Sequence, residues 1–158
     1  MKRIIPFALI LGLVFMTACA AENSGTSKTG GESVKDADIV IPLADIDDKA
    51  AFYPAEIDGT RLEVIAVKAP DGTVRTAFNT CQVCYDSGRG YYEQDGDVLV
   101  CQNCGNRFPM SRVEVESGGC NPVPIFDGNK TVDESSITIP LEVLKQAAVI
   151  FSNWKTNA

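Results

Sequence analysis

The sequence predicts a mainly β domain with cysteine-rich loops and one C-terminal α-helix. Three observations predict it. Short apolar runs rich in β-formers are separated by Asp-Gly turns, five of the six cysteines fall between Cys81 and Cys120, and a single helical stripe lies near the end. The 158 residues are enough for one domain.

The chain opens with Lys2 and Arg3, followed by an apolar run from Ile4 to Met16 broken only by Pro6 and Gly12. This reads as a secretory signal, too short for a comfortable membrane-spanning helix. Met16-Thr17-Ala18-Cys19 resembles a bacterial lipobox, in which the peptide is cut before a Cys that is then lipidated. Residues 1–19 are therefore read as a lipoprotein signal peptide, with Cys19 as the anchor. An ordinary signal peptide cut after Ala18 or Ala20 is the alternative. Several acyl chains on one residue hold firmly where a single chain holds weakly. Residues 20–37 are polar, with Val34 as their one large apolar residue, and read as a flexible linker.

The folded domain is expected over 38–158. Ile39-Val40-Ile41-Pro42-Leu43 is an apolar run that Pro42 marks as a strand end or edge. Residues 51–57, 60–68 and 73–79 are extended segments separated by Asp58-Gly59 and Asp71-Gly72. Two Asp-Gly turns between such runs predict an antiparallel meander that delivers the chain to Cys81. Gly90–Gln94 and Val98–Val100 flank Asp95-Gly96-Asp97, a further hairpin with Cys101 at its exit. Phe108–Val115 reads as one more strand, and residues 127–136 as polar loop. Pro140–Trp154 reads as a helix with Pro140 at its first position and a packing stripe of Leu141, Leu144, Ala148 and Phe151.

The formal charge is −7, and loss of Lys2 and Arg3 with the signal would carry it to −9. Such acidity argues against nucleic acid, or an anionic membrane surface, as partner. There is no histidine. That excludes Ser-His and Cys-His catalytic pairs, histidine-ligated haem and imidazole metal sites. No acid–base pair stands out, so catalysis by the chain alone is not predicted.

The cysteines carry the chemistry. Cys81-Gln-Val-Cys84 and Cys101-Gln-Asn-Cys104 can each bring two thiolates to one site. Four thiolates suit an iron–sulfur cluster, a single iron or Zn²⁺. In such turns backbone N–H groups aim at the sulfurs, and a Gly after the second Cys supplies the positive φ that closes the turn. Gly105 fits, whereas Tyr85 stands at the matching place in the first pair and leaves closure to Asp86-Ser87-Gly88. Cys120, on a Gly118-Gly119 loop, is a fifth candidate for the cofactor site, as an alternative ligand, a second metal's ligand or a redox partner. Tyr91, Tyr92 and Phe108 lie near the cysteines and either shield a centre or form core. Arg89 and Arg107 are placed to offset thiolate charge.

Around these residues the sequence resembles the FtrD-like membrane iron–sulfur proteins. The resemblance is carried by Asp71-Gly-Thr-Val-Arg75, the two C-x-x-C pairs, Gly90-Tyr91, Phe108 and Gly118-Gly-Cys-Asn-Pro122. It implies cluster ligation by Cys81, Cys84, Cys101 and Cys104, with Cys120 as a further candidate, and a setting beside ferrous-iron permeases. Many members of that family carry membrane spans; here lipid at Cys19 would replace them. A weaker similarity to Rieske domains rests on Val98–Phe108, with Cys84 and Cys104 standing where histidines would. It implies a small antiparallel β-sandwich with the ligand loops at one tip and, without imidazole ligands, a lower potential.

The sequence thus predicts a lipoprotein on the extracytoplasmic face of the cell membrane. Its iron–sulfur centre would serve electron transfer or metal handling in iron uptake, with an iron permease or a membrane redox protein as partner. The rival readings are a structural Zn(Cys)₄ binding module, a thiol–disulfide oxidoreductase and a soft-metal chaperone.

Overall fold

The structure is a computed structural model that describes residues 28–156. The signal sequence and Cys19 lie outside the described residues. Strands β1 (Lys28–Thr29), β2 (Val34–Lys35), β3 (Ile39–Pro42), β4 (Ala51–Ile57), β5 (Thr60–Lys68) and β6 (Val74–Cys81) make up the first half. They are followed by β7 (Tyr92–Asp95), β8 (Val98–Cys101), β9 (Arg107–Pro109), β10 (Pro122–Pro124), β11 (Thr131–Val132) and β12 (Ser136–Ile139). Helix α1 (Leu141–Ala147) runs on into a 3-10 turn over Ala148–Phe151.

The expected meander is the centre of the fold. β4, β5 and β6 pair antiparallel in sequence, and β10 closes the sheet against β6. Asp58 and Gly59 both take positive φ, as the two-residue hairpin turn requires. Both faces of this sheet are covered. Tyr53, Ala55, Val64, Ala66 and Phe78 face one side, where they join Ile39, Ile41, Ile137 and Ile139 of β3 and β12 and Leu144, Phe151 and Trp154 of the C-terminal segment. Phe52, Ile65, Val67 and Ala77 face the other side, where they meet Tyr92, Leu99 and Phe108 of the β7–β8–β9 sheet. The period-2 alternation of β4 and β5 thus splits one apolar run between two cores. The fold is mainly β with antiparallel sheets packed face to face and one C-terminal helix.

Several elements differ from their sequence expectation. Two short strands come from within the segment read as linker. β1 and β2 pair parallel to β4, and Lys28 bonds the Asp45 carbonyl and the Asp47 carboxylate. Backbone pairing to an open sheet edge needs little apolar content, which is why composition hid it. The Phe108–Val115 strand ends at Pro109, whose missing N–H stops the ladder; Met110–Arg112 then form a 3-10 turn. Residues 136–139, partly within the polar stretch, form β12 because Ile137 and Ile139 pair with Ile41 and Ile39 of β3. Pro140 is the residue before the helix, in extended geometry (φ −64°, ψ 146°), rather than its first residue. The buried stripe is Leu144, Ala147, Phe151 and Trp154, since the 3-10 turn shifts the period.

Candidate metal centre

β6 delivers Cys81. Ala77, Asn79 and Cys81 share the strand face turned toward the β7–β8–β9 sheet, and β8 delivers Cys101 from the opposite side, paired with Tyr92 of β7. The pairing of β10 slips beside the site: Pro122 lies opposite Cys81, but Val123 lies opposite Phe78. Such an irregularity bends the strand where a side chain must be aimed. Both turns have the expected sulfur-facing amides. The N–H groups of Val83 and Cys84 point at Cys81, and those of Asn103 and Cys104 at Cys101.

The two turns close differently. Gly105, at φ 72°, ends the second, and its N–H bonds the Cys101 carbonyl at 2.9 Å. In the first, a 3-10 turn over Tyr85–Ser87 intervenes, and Gly88 at φ 77° closes it. The C-terminal segment braces this longer loop. The Lys155 N–H donates to the Gly88 carbonyl at 2.9 Å, Asn153 Nδ2 reaches the Asp86 carbonyl at 3.2 Å, and Trp154 Nε1 donates to the Asn79 carbonyl at 2.7 Å. Lys155 also lies over the rings of Tyr91 and Trp154.

The five sulfurs come together as two triads. Cys81, Cys84 and Cys101 lie within 4.8 Å of one another, and so do Cys84, Cys104 and Cys120. Cys84 belongs to both. Burial is graded: Cys81 and Cys101 are 0% and 1% exposed, Cys84 is 7% exposed, Cys120 is half-buried and Cys104 is exposed. All five are free thiols.

The loop that brings Cys120 is held at several points. Gln82, inside the first C-x-x-C, donates its N–H to the Asn121 carbonyl at 3.0 Å and its Nε2 to that of Pro122 at 3.2 Å. Its Oε1 accepts the Gly118 N–H at 2.9 Å. Tyr92 Oη and Asn106 Nδ2 both donate to the Cys120 carbonyl, each at 2.8 Å. Gln82, Asn106 and Asn79 were missed by sequence reasoning. Their only signal is a polar residue inside or just beyond a C-x-x-C pair, or two before one.

The thiols hold their protons unequally. A hydrogen bond from the Cys101 thiol, aided by Tyr92 and backbone amides, outweighs burial and draws Cys81 down to about 4. Its partner Cys101 is pushed far up by the same bond and by burial. In the outer triad the Asn106 N–H lowers Cys104, whereas burial raises Cys84. Cys120 is pushed up to about 12 by its hydrogen bond to Cys104 and by desolvation. Cys81 in the inner triad and Cys104 in the outer one are thus the thiols shifted toward the thiolate, the form that binds metal.

Of the neighbours singled out in the sequence, Tyr92 and Phe108 are buried among the thiols, while Tyr91 packs on Trp154 in the other core. Arg107 is occupied by Asp95 at 2.8 Å, and Arg89 reaches the Gln102 carbonyl at 3.2 Å. An all-thiol donor set with aimed amides fits iron, zinc and iron–sulfur groups.

No helix among the described residues is long and apolar enough to cross a membrane, which leaves strands out of account. No curated protein and no solved structure shows significant similarity to the chain. A family described as "Membrane iron-sulfur containing protein FtrD-like" matches residues 46–151, a span that holds all five clustered cysteines. Covering most of the chain and the whole thiol cluster, that match makes the chain a member of the FtrD-like family of membrane iron–sulfur proteins.

Proposed function

We propose that the protein is a lipid-anchored, extracytoplasmic carrier of a cysteine-bound iron–sulfur centre, serving electron transfer or metal handling in iron uptake. The observation that carries this reading is the gathering of five thiols into one cluster, graded from fully buried to exposed. Cys81, Cys84, Cys101 and Cys104 are the proposed ligands, with Cys120 beside them. When bound, the group would supply one-electron chemistry. The protein's part is to aim backbone amides at Cys81 and Cys101, exclude water from the inner sulfurs with Tyr92 and Phe108, and leave the Cys104 side open to a partner. Hydrogen bonds to sulfur and solvent exposure are the two protein levers that set the potential of such a centre. A membrane redox protein or an iron permease is the proposed partner, and lipid at Cys19 the proposed attachment.

The test is anaerobic purification of the full chain, followed by metal and sulfide analysis and a visible spectrum before and after dithionite. Iron with acid-labile sulfide, and a colour that bleaches on reduction, is the expected result. A colourless protein carrying zinc, even from iron-replete anaerobic cells, would sink the proposal. Labelling with radioactive palmitate, lost in Cys19→Ala, tests the anchor separately.

A further inference from the structure

Four thiolates on one tetrahedral ion are all mutual neighbours. With metal–sulfur bonds of about 2.3 Å, every pair of sulfurs lies about 3.8 Å apart. The five sulfurs here fall instead into two sets of three, each within 4.8 Å, that share Cys84, with a Cys101–Cys104 hydrogen bond joining the sets. We propose that the centre holds two metal positions bridged by Cys84: an inner one on Cys81, Cys84 and Cys101, and an outer one on Cys84, Cys104 and Cys120. The inference rests on the reading of this thiol cluster as a metal centre and adds Cys120 as a required ligand of one position.

Three further observations support it. First, Cys120 does not sit on a free loop. Five hydrogen bonds, from or to Gln82, Tyr92 and Asn106, fix Gly118–Pro122 against both C-x-x-C turns. A loop held that tightly, with its thiol within 4.8 Å of two others, is built to present that thiol. Second, the inner sulfurs are dry, while the outer triad includes the exposed Cys104 and the half-buried Cys120. Three protein ligands on a tetrahedral ion leave one position for an outside ligand. At the outer position that place faces solvent, so the outer position is the exchangeable one and takes a soft or borderline divalent ion from solution. Third, the shared residue is the one whose turn lacks the closing Gly after its second Cys. The first loop reaches further before Gly88 closes it, and the Lys155–Gly88 and Asn153–Asp86 bonds brace that extension. A bridging sulfur must satisfy two positions at once, which requires a fixed backbone.

The experiment is anaerobic titration of the full chain, stripped of metal and reduced, with Cd²⁺. Sulfur-to-cadmium absorption and ¹¹³Cd NMR are read on the wild type and on Cys120→Ser and Cys104→Ser. Both substitutions lie at the accessible side of the cluster, and far-ultraviolet circular dichroism checks the fold of each. The expected wild-type result is two equivalents per chain, with two resonances coupled through a common sulfur. Each variant should keep the tight equivalent and weaken the other at least tenfold. A wild type that saturates at one equivalent, or a Cys120→Ser protein that keeps two at unchanged affinity, overturns the inference. The outcomes separate from those of the function test. Absence of iron and sulfide from the purified protein refutes the iron–sulfur reading whatever cadmium does. Full cadmium capacity in Cys120→Ser refutes the bridged centre and leaves the iron–sulfur reading standing.

Discussion

Gly90 links the thiol geometry to a measurable energy. A Cβ at this position would lie 2.6 Å from the Cys84 carbonyl oxygen, 2.7 Å from its carbon and 2.9 Å from the Tyr85 nitrogen, where ordinary contact begins at 3.4 Å. All three atoms are backbone, so no side chain can swing aside. Nor can Gly90 retreat easily, since its carbonyl accepts the Cys81 N–H at 2.7 Å. In Gly90→Ala the Cys84 peptide must therefore shift by about 0.8 Å, beyond the roughly 0.5 Å within which a binding constellation tolerates displacement. Overpacking of this kind costs about 1–3 kcal/mol. If the cost falls on folding, the melting temperature drops by about 3–12 °C for a domain of this size. If it falls on the loaded state, metal affinity drops by about 5- to 150-fold. Thermal melts by circular dichroism and competition against a zinc chelator read the two terms. Gly128→Ala is the control, because nothing lies within 4 Å of its Cβ. Wild-type melting and wild-type affinity in Gly90→Ala would refute the claim that the first thiol loop is locked against this residue.

Other outcomes follow from the same structure. Lys130, with its side chain 3% exposed, bonds Glu114, which also accepts the Thr76 N–H at 2.7 Å. Glu114→Ala leaves that buried cation with only the Thr76 hydroxyl at 3.2 Å and the distant, exposed Asp127 carboxylate at 3.9 Å, so chemical denaturation should show a loss of about 3–5 kcal/mol; a loss under 1 kcal/mol would contradict the pairing. Tyr92→Phe removes one of two donors to the Cys120 carbonyl, and with Asn106 still in place the cost should be about 0.5–1.5 kcal/mol. Cadmium affinity should fall at both positions, because the same hydroxyl bonds the Cys81 sulfur of the inner set and the Cys120 carbonyl beside the outer one. Asp71 and Asp133 are both held near 2, Asp71 first by the Thr73 hydroxyl and amide and Asp133 first by the Ser135 amide. Their folded values lie below the ordinary 3.8, so the stability they add is complete above about pH 4 and is lost as pH falls toward 2. In Asp71→Asn and Asp133→Asn the slope of melting temperature against pH across that window should flatten, and an unchanged slope would rule these turns out.

Much of the fold was legible because its signals are local. The Asp-Gly turns set the β4–β5–β6 meander within a residue or two of its observed limits, and the β7–β8 hairpin was equally plain. A two-residue turn with positive φ admits few residue types, so the sequence shows it directly. The C-x-x-C turns were legible for the same reason. What escaped were pairings between distant segments. β1 and β2 were read as linker because their own residues are polar, and only the open edge of β4 makes them strands. β12 exists because two isoleucines meet two others from the far end of the domain.

The same division runs through the site. The sequence alone determined that no imidazole can hold a metal, since there is no histidine, and that Cys81, Cys84, Cys101, Cys104 and Cys120 belong to one region. Only the tertiary structure decided how they group. Spacing places two thiols on a turn, but it says nothing of which turn faces which. That choice was made by β6 and β8 presenting Cys81 and Cys101 from opposing sheets, by Gln82, Tyr92 and Asn106 seating the Cys120 loop, and by the C-terminal segment bracing the turn of Cys84. These contacts join residues far apart in the chain. Their free energy depends on burial and alignment that exist only once the sheets have packed, so no local pattern can encode them.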